Sequence, residues 1–199
     1  MKKTLLLAAT AALVSMPSLA NENYIAVELG AGSYTTSGQY ANSNFINDDT
    51  GFLSLKAGHY FSDNVRAYGY LQAGAESTIE YQNIFGYTYA ESSITTHEFG
   101  AGADYLHNLT DKFYLLAGGN LGIYNSTYEA SYSGLSKDST NTGLAAGVNL
   151  GMGYNFTDNF SMELGYRHSR FFGNDHEVDV IKLSVDASNT GYLNASYSF

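Results

Sequence analysis

The sequence predicts an all-β chain, an eight-stranded antiparallel up-and-down transmembrane β-barrel. Three observations carry that prediction. Hydropathy alternates with a period of two over long segments: Leu144, Ala146, Val148, Leu150, Met152, Tyr154 and Phe156 interleave with Ala145, Gly147, Asn149, Gly151, Gly153 and Asn155. Such alternation marks strands whose two faces meet different media. Here one face is continuously apolar, while the other holds Gly and Asn, small and polar enough for the lumen of a membrane barrel. A short turn phrase recurs three times, as Phe61-Ser62-Asp63-Asn64-Val65, Leu109-Thr110-Asp111-Lys112-Phe113 and Phe156-Thr157-Asp158-Asn159-Phe160, at spacings of 48 and 47 residues. Ser, Thr, Asp and Asn bond nearby backbone groups, so each phrase reads as a tight hairpin turn centred on Asp63, Asp111 or Asp158. Finally, 21 Gly, 18 Tyr and 11 Phe accompany a single proline, Pro17. Every residue past Pro17 can therefore donate to a sheet ladder.

The chain opens Met1-Lys2-Lys3, runs apolar from Thr4 to Val14 and reaches Ser18-Leu19-Ala20. A basic start, a short apolar run and a small-x-small site read as a secretory signal peptide over 1–20, leaving 21–199 as one barrel domain. Past residue 20 no apolar run is long enough for a spanning helix, so any span is made of strands. Without Lys2 and Lys3 there remain 7 basic against 19 acidic residues, a formal charge of −12. That balance excludes a nucleic-acid partner, which needs a basic surface. Cysteine is absent, ruling out disulfides and thiolate metal sites.

Taken in order, strand one covers about 24–34, with Ile25, Val27, Leu29 and Ala31 opposite Ala26, Glu28, Gly30 and Gly32. A polar stretch, 35–50, follows. The second strand places Leu53, Leu55, Ala57 and Phe61 opposite Ser54, Lys56, Gly58 and Tyr60; the third sets Val65, Ala67, Leu71 and Ala73 against Arg66, Tyr68, Tyr70 and Gln72. After a second polar excursion, 75–96, strand four opposes Phe99, Ala101, Ala103 and Tyr105 to Glu98, Gly100, Gly102 and Asp104. Strand five opposes Phe113, Leu115, Ala117, Leu121 and Ile123 to Tyr114, Leu116, Gly118, Asn120 and Gly122, with Leu116 breaking the pattern. A third polar stretch, 125–142, precedes strands six and seven, which flank the last turn; in strand seven Phe160, Met162, Leu164 and Tyr166 oppose Ser161, Glu163, Gly165 and Arg167. A tail, 172–189, leads to the final strand, with Leu193, Ala195 and Tyr197 opposite Asn194, Ser196 and Ser198. Eight strands joined by long loops on one side and short turns on the other close without exposed edges. Phe61, Tyr105, Phe113, Phe156, Phe160, Tyr197 and Phe199 all sit on apolar faces near the short turns or the C-terminus, as an interfacial girdle requires.

Gly153-Tyr154-Asn155-Phe156-Thr157-Asp158-Asn159-Phe160, followed by Glu163-Leu164-Gly165-Tyr166-Arg167, resembles the penultimate hairpin of the small outer-membrane β-barrels grouped around OmpX, the OmpA membrane domain and Ail-type surface proteins. Tyr197-x-Phe199 resembles that family's terminal signal, read by the barrel assembly machinery; Asn194 departs from the family, which has Gly there. The resemblance covers the chain past residue 20. It implies a porin-family barrel in the outer membrane of a Gram-negative bacterium, with turns at Asp63, Asp111 and Asp158 on the periplasmic side.

Inward parity gathers Glu28, Lys56, Arg66, Glu98, Asp104, Glu163 and Arg167 into one lumen. Four acids and three bases of mixed sign predict a salt-bridged, filled interior, with Glu28 pairing Lys56 and Arg66 pairing Asp104, because an eight-stranded barrel has room for side chains and little else. No catalytic, cofactor or metal site is assigned. The strongest enzyme candidate is His168-Ser169, since lipid A deacylases and related barrel enzymes use His with Ser, but adjacent strand residues point to opposite faces. His59, His97 and His107 face outward with no carboxylate on their face nearby. The glycosylation-like triplets Asn108-Leu109-Thr110, Asn125-Ser126-Thr127 and Asn155-Phe156-Thr157 read as turn chemistry. The four polar stretches, 35–50, 75–96, 125–142 and 172–188, hold 11 acids against Lys137 and Lys182, together with Tyr40, Tyr81, Tyr87, Tyr89, Tyr128 and Tyr132. Tyr makes rigid amphipathic contacts at low entropic cost. The expected function is therefore a structural or surface-interaction, adhesin-like role exercised through these loops. Its expected partners are outer-membrane lipids and lipopolysaccharide, the assembly machinery and a cell-surface partner. The alternatives are a lipid-modifying enzyme and a narrow small-solute channel.

Overall fold

Each segment of alternating hydropathy forms a strand, and each long strand pairs with the next. The structure, a computed structural model, describes residues 22–38, 49–82, 88–132, 135–173, 176–178 and 181–199. Its strands are β1 (Asn23–Gly38), β2 (Asp49–Ser62), β3 (Val65–Gly74), β4 (Ser77–Gln82), β5 (Thr88–Asn108), β6 (Phe113–Tyr132), β7 (Leu135–Asn155), β8 (Phe160–Phe172), β9 (His176–Val178) and β10 (Ile181–Ser198). Strands β1, β2, β3, β5, β6, β7, β8 and β10 pair antiparallel in that order, and β10 pairs back with β1. The result is a closed eight-stranded barrel. Closure satisfies every ladder internally, which a bilayer demands. The short β4 and β9 lie beside β5 and β10.

The polar stretches differ from expectation. Loops were expected over 75–96, 125–142 and 172–189, but β4 and the first half of β5 occupy most of the first, β6 and β7 nearly all of the second, and β9 with the start of β10 much of the third. These segments are ladder-paired hairpins that prolong the barrel, with pairs such as Thr127↔Thr140 and Ser93↔Glu129. Strand β1 likewise continues to Gly38, past the expected end near residue 34. The expected signal peptide, residues 1–20, lies outside the described residues, as does 39–48 of the first loop.

Parity holds along the membrane-spanning segments. Ile25, Val27 and Leu29 are exposed while Ala26 and Glu28 are buried, and Leu150 faces outward beside buried Asn149. The apolar face is thus outside, and the small core of polar and aromatic side chains is inside. The outer apolar belt ends strand by strand toward the long hairpins, on β8 at Tyr166, after which His168 and Arg170 face outward. Leu71, Phe99, Ile123 and Leu144 lie directly across one another on β3, β5, β6 and β7, and the next outward row reads Ala73, His97, Asn125 and Thr142.

At the opposite end the three turn phrases close alike. The hydroxyl, rather than the Asp, caps each: Phe113 N donates to Thr110 Oγ1 at 2.9 Å, Phe160 N to Thr157 Oγ1 at 3.0 Å and Asn64 N to Ser62 Oγ at 3.3 Å. The fourth residue of the phrase ties the turn to the end of the neighbouring strand, since the carbonyls of Asn64, Lys112 and Asn159 accept from the amides of Leu106, Asn155 and Ser198 at 2.7 to 2.8 Å. Asn64 and Asn159 add a side-chain bond, from Nδ2 to the carbonyls of Leu106 and Ser198, each at 2.8 Å. Asp63, Asp111 and Asp158 remain exposed at the turn tips.

Candidate functional site in the barrel interior

All seven lumen residues expected from parity point inward, and six of them form two ion clusters. In the first, Arg66 donates through Nε and Nη2 to Asp104 Oδ2 at 2.9 and 2.8 Å, and through Nη1 and Nη2 to Glu163 at 2.6 and 3.0 Å. Its guanidinium is 2% exposed and lies 5.3 Å from the Tyr24 ring. Tyr114 Oη and Asn194 Nδ2 complete Glu163 at 2.7 and 2.9 Å, and Asn149 Nδ2 donates to Asp104 Oδ1 at 3.0 Å. In the second cluster, Glu28 is fully buried between Lys56 Nζ and Arg167 Nη2, both at 2.5 Å. Arg167 also donates to Gln72 Oε1 at 3.3 Å and is sandwiched between the Phe52 and Tyr192 rings, each at 5.3 Å. Forked guanidinium–carboxylate contacts of this kind offset the cost of burying charge best when the remaining donors and acceptors are also met; Arg167 Nε and the Oδ1 atoms of Asn149 and Asn194 are buried without a protein partner among the described residues.

Glu98 stands apart from both clusters. It accepts from Tyr70 Oη, which in turn accepts from Asn120 Nδ2 at 3.0 Å. On the long-hairpin side of Arg167 a cavity of about 30 Å³, lined in part by Gln72, Glu98, Arg167, Ser169 and Thr190, has room for roughly one water. Phe171 packs over it against Tyr34 and Tyr124, at 6.3 and 5.2 Å between ring centroids. At the short-turn end the barrel opens into a vestibule of about 850 Å³, whose rim carries Glu22, Asp63, Asp111 and Asp158.

Parity alone did not reveal how the network is supported. Inward aromatic rings lie directly across from glycines on the neighbouring strand: Tyr24 from Gly58, Tyr68 from Gly102, Tyr114 from Gly153 and Tyr192 from Gly165. A Cβ at Gly102 would stand 2.6 Å from Tyr68, so the glycine makes the space that the ring fills. The signal was present as Gly and Tyr at inward positions of adjacent strands, but it could be paired only once the register was known.

The histidines divide. His168 faces outward, with Nδ1 2.8 Å from Asn189 Oδ1, while Ser169 is buried in the lumen, so the two side chains lie on opposite faces of the barrel wall. His59 corrects the expectation that no carboxylate is near: its Nε2 is 3.8 Å from Glu22 Oε2, and its Nδ1 is 3.0 Å from Asn23 Oδ1. Glu22 precedes the first strand, where parity gives no guide.

Residues 6–199 match the family described as Outer membrane protein beta-barrel domain. No curated protein matches the sequence. Among solved structures the fold is similar to Ail, the attachment invasion locus protein of Yersinia pestis, at 18% identity and TM-score 0.54 over 89% of this chain and 99% of that one. It is also similar to Neisserial surface protein A, at 16% identity and TM-score 0.56 over 88% and 95%. A major outer membrane protein of Thermus thermophilus follows, at 15% and 0.52 over 89% and 99%. With an inverted barrel, a paired and filled lumen and a family match over nearly its whole length, this chain belongs to the outer membrane protein β-barrel domain family and resides in the bacterial outer membrane.

Proposed function

We propose that the chain is a non-enzymatic barrel that serves the envelope structurally and acts on its surroundings through its extracellular hairpins. The observation that carries this reading is the length of the strands. β5, β6 and β7 run 21, 20 and 21 residues, about twice the 9–11 that cross a bilayer. A paired ribbon therefore stands beyond the polar row at His97, Asn125 and Thr142. Its sequence carries acids and tyrosines on a paired backbone, and such a support lowers the ordering cost of binding relative to a free loop. The filled lumen supports a structural role for the wall rather than passage of solutes, and the opposed His168 and Ser169 support the absence of hydrolytic chemistry.

Ail has been solved in complex with the heparin analogue sucrose octasulfate. Here the loop stretches carry 11 acids against Lys137 and Lys182, so a polyanion would be repelled and the partner surface is neutral or cationic. Residues 1–20 direct export and are cleaved, and the assembly machinery reads Tyr197 and Phe199. Outer-membrane lipid and lipopolysaccharide surround the belt. The test replaces 128–139 with a two-residue Asn-Gly turn across the Thr127↔Thr140 pair and shortens 36–49. The shortened barrel stays heat-modifiable on detergent gels, and its adhesion to cells falls. Adhesion equal to the parent would refute the reading.

A further inference from the structure

We propose that Arg170 and Asn189, with Asn189 oriented by His168, form a binding site for the phosphate of a membrane lipid headgroup, on the outer wall at the extracellular edge of the apolar belt. On β8, Arg167, Ser169 and Phe171 turn inward, so Tyr166, His168 and Arg170 turn outward. Asn189 of β10 lies directly across from His168, and Ser33 of β1 lies across from Asn189. One row along, Arg170 is flanked in register by Ala146, too small to cover a guanidinium, and by Ala187, which is buried.

The hydrogen bonds orient the cluster. Asn189 Oδ1 accepts from Tyr166 Oη at 2.7 Å and lies 2.8 Å from His168 Nδ1. With that oxygen taken by two donors, the Asn189 amide hydrogens are left for a ligand beside Arg170, and His168, its Nδ1–H spent on Asn189, positions that amide. Arg170 is exposed, and it is the one cation on the outer wall among the described side chains: Lys56, Arg66 and Arg167 are buried and Lys112 sits in a periplasmic turn. Asp49, the acid in the same outward row, is three strands from His168, and Asp186 beside Ala187 has contacts of its own. A guanidinium on a membrane wall is costly unless an anion or water meets it. Its planar fork matches phosphate oxygens, and the Asn189 amide, held in place by His168, supplies a second donor beside it.

The inference rests on the reading that outer-membrane lipid surrounds the belt, and not on the role of the hairpins. The full processed barrel in dodecylmaltoside micelles is mixed with bisphosphorylated lipid A or its dephosphorylated form, and the bound lipid is read by native mass spectrometry. Arg170→Gln lowers retention of the phosphorylated lipid about tenfold, the loss expected for one charge-assisted contact. His168→Gln lowers it by less. Lys112→Gln leaves it unchanged, and the wild type holds dephosphorylated lipid no better than the Arg170 variant does. Equal retention by wild type and Arg170→Gln, or retention indifferent to the phosphates, would overturn the site. Displacement of the lipid by inorganic phosphate would assign the site to the free anion and overturn the lipid reading. The hairpin-shortened barrel keeps the lipid, which separates failure of this proposal from failure of the adhesive one.

Discussion

Replacing Arg66 with Met tests the interior most directly. Arg66 holds two carboxylates at once, Asp104 at 2.8 Å and Glu163 at 2.6 Å, and all three side chains are nearly inaccessible. Met matches much of the volume but leaves both acids without their cation. Removing one partner of a buried pair costs about 3 to 5 kcal/mol, mostly the desolvation of what is left behind. Part of that cost is absorbed, because Asp104 keeps Asn149 and Glu163 keeps Tyr114 and Asn194. Arg167→Met should cost less, because Glu28 still has Lys56 at 2.5 Å. The triple variant Arg66→Met, Asp104→Asn, Glu163→Gln should recover most of the loss, since no uncompensated charge remains. Reversible urea unfolding in lipid vesicles, followed by gel mobility, measures all three. An Arg66→Met barrel within about 1 kcal/mol of wild type, or a triple variant no better than the single, would show that the cluster is not held by the balance of charge described above.

Leu150→Arg, eight residues from the polar row at Thr142 and six from Phe156, puts a charge near mid-bilayer and costs about 2 to 4 kcal/mol, while Asn149→Lys, beside Asp104 in the lumen, costs less; unfolding midpoints rank the pair. Gly102→Val drives a branched side chain against the buried Tyr68 ring and destabilises by about 1 to 3 kcal/mol, whereas outward Gly69→Ala, with its nearest neighbour at 3.8 Å, is near neutral in the same assay. Phe199→Ala removes an exposed girdle ring at the terminal residue, whose amide bonds Asn23 O at 2.9 Å. Pulse-labelled cells should show slower conversion to the heat-modifiable form, with little change in the stability of barrels already assembled.

Orientation was legible in the sequence because it is local. A period of two assigns each side chain of a strand to one face, so the inward placement of Glu28, Arg66 and Glu163 and the outward placement of Leu150 follow from neighbours alone. The short turns were legible for the same reason, since Ser62, Thr110 and Thr157 reach backbone amides only two or three residues away. Partners across the lumen were not. The contacts of Arg66 with Glu163 and of Glu28 with Arg167 join residues 97 and 139 positions apart, and they depend on the closed ring and its stagger. Register likewise decided which glycine faces which tyrosine. The polar hairpins resemble loops in sequence for a physical reason: beyond the belt the outward face of a strand meets water instead of lipid, so the apolar half of the alternation is lost, although the ladder of β6 and β7 continues to Tyr132↔Leu135. Alternation records a boundary between media, and where that boundary ends only the tertiary structure shows that the strand goes on.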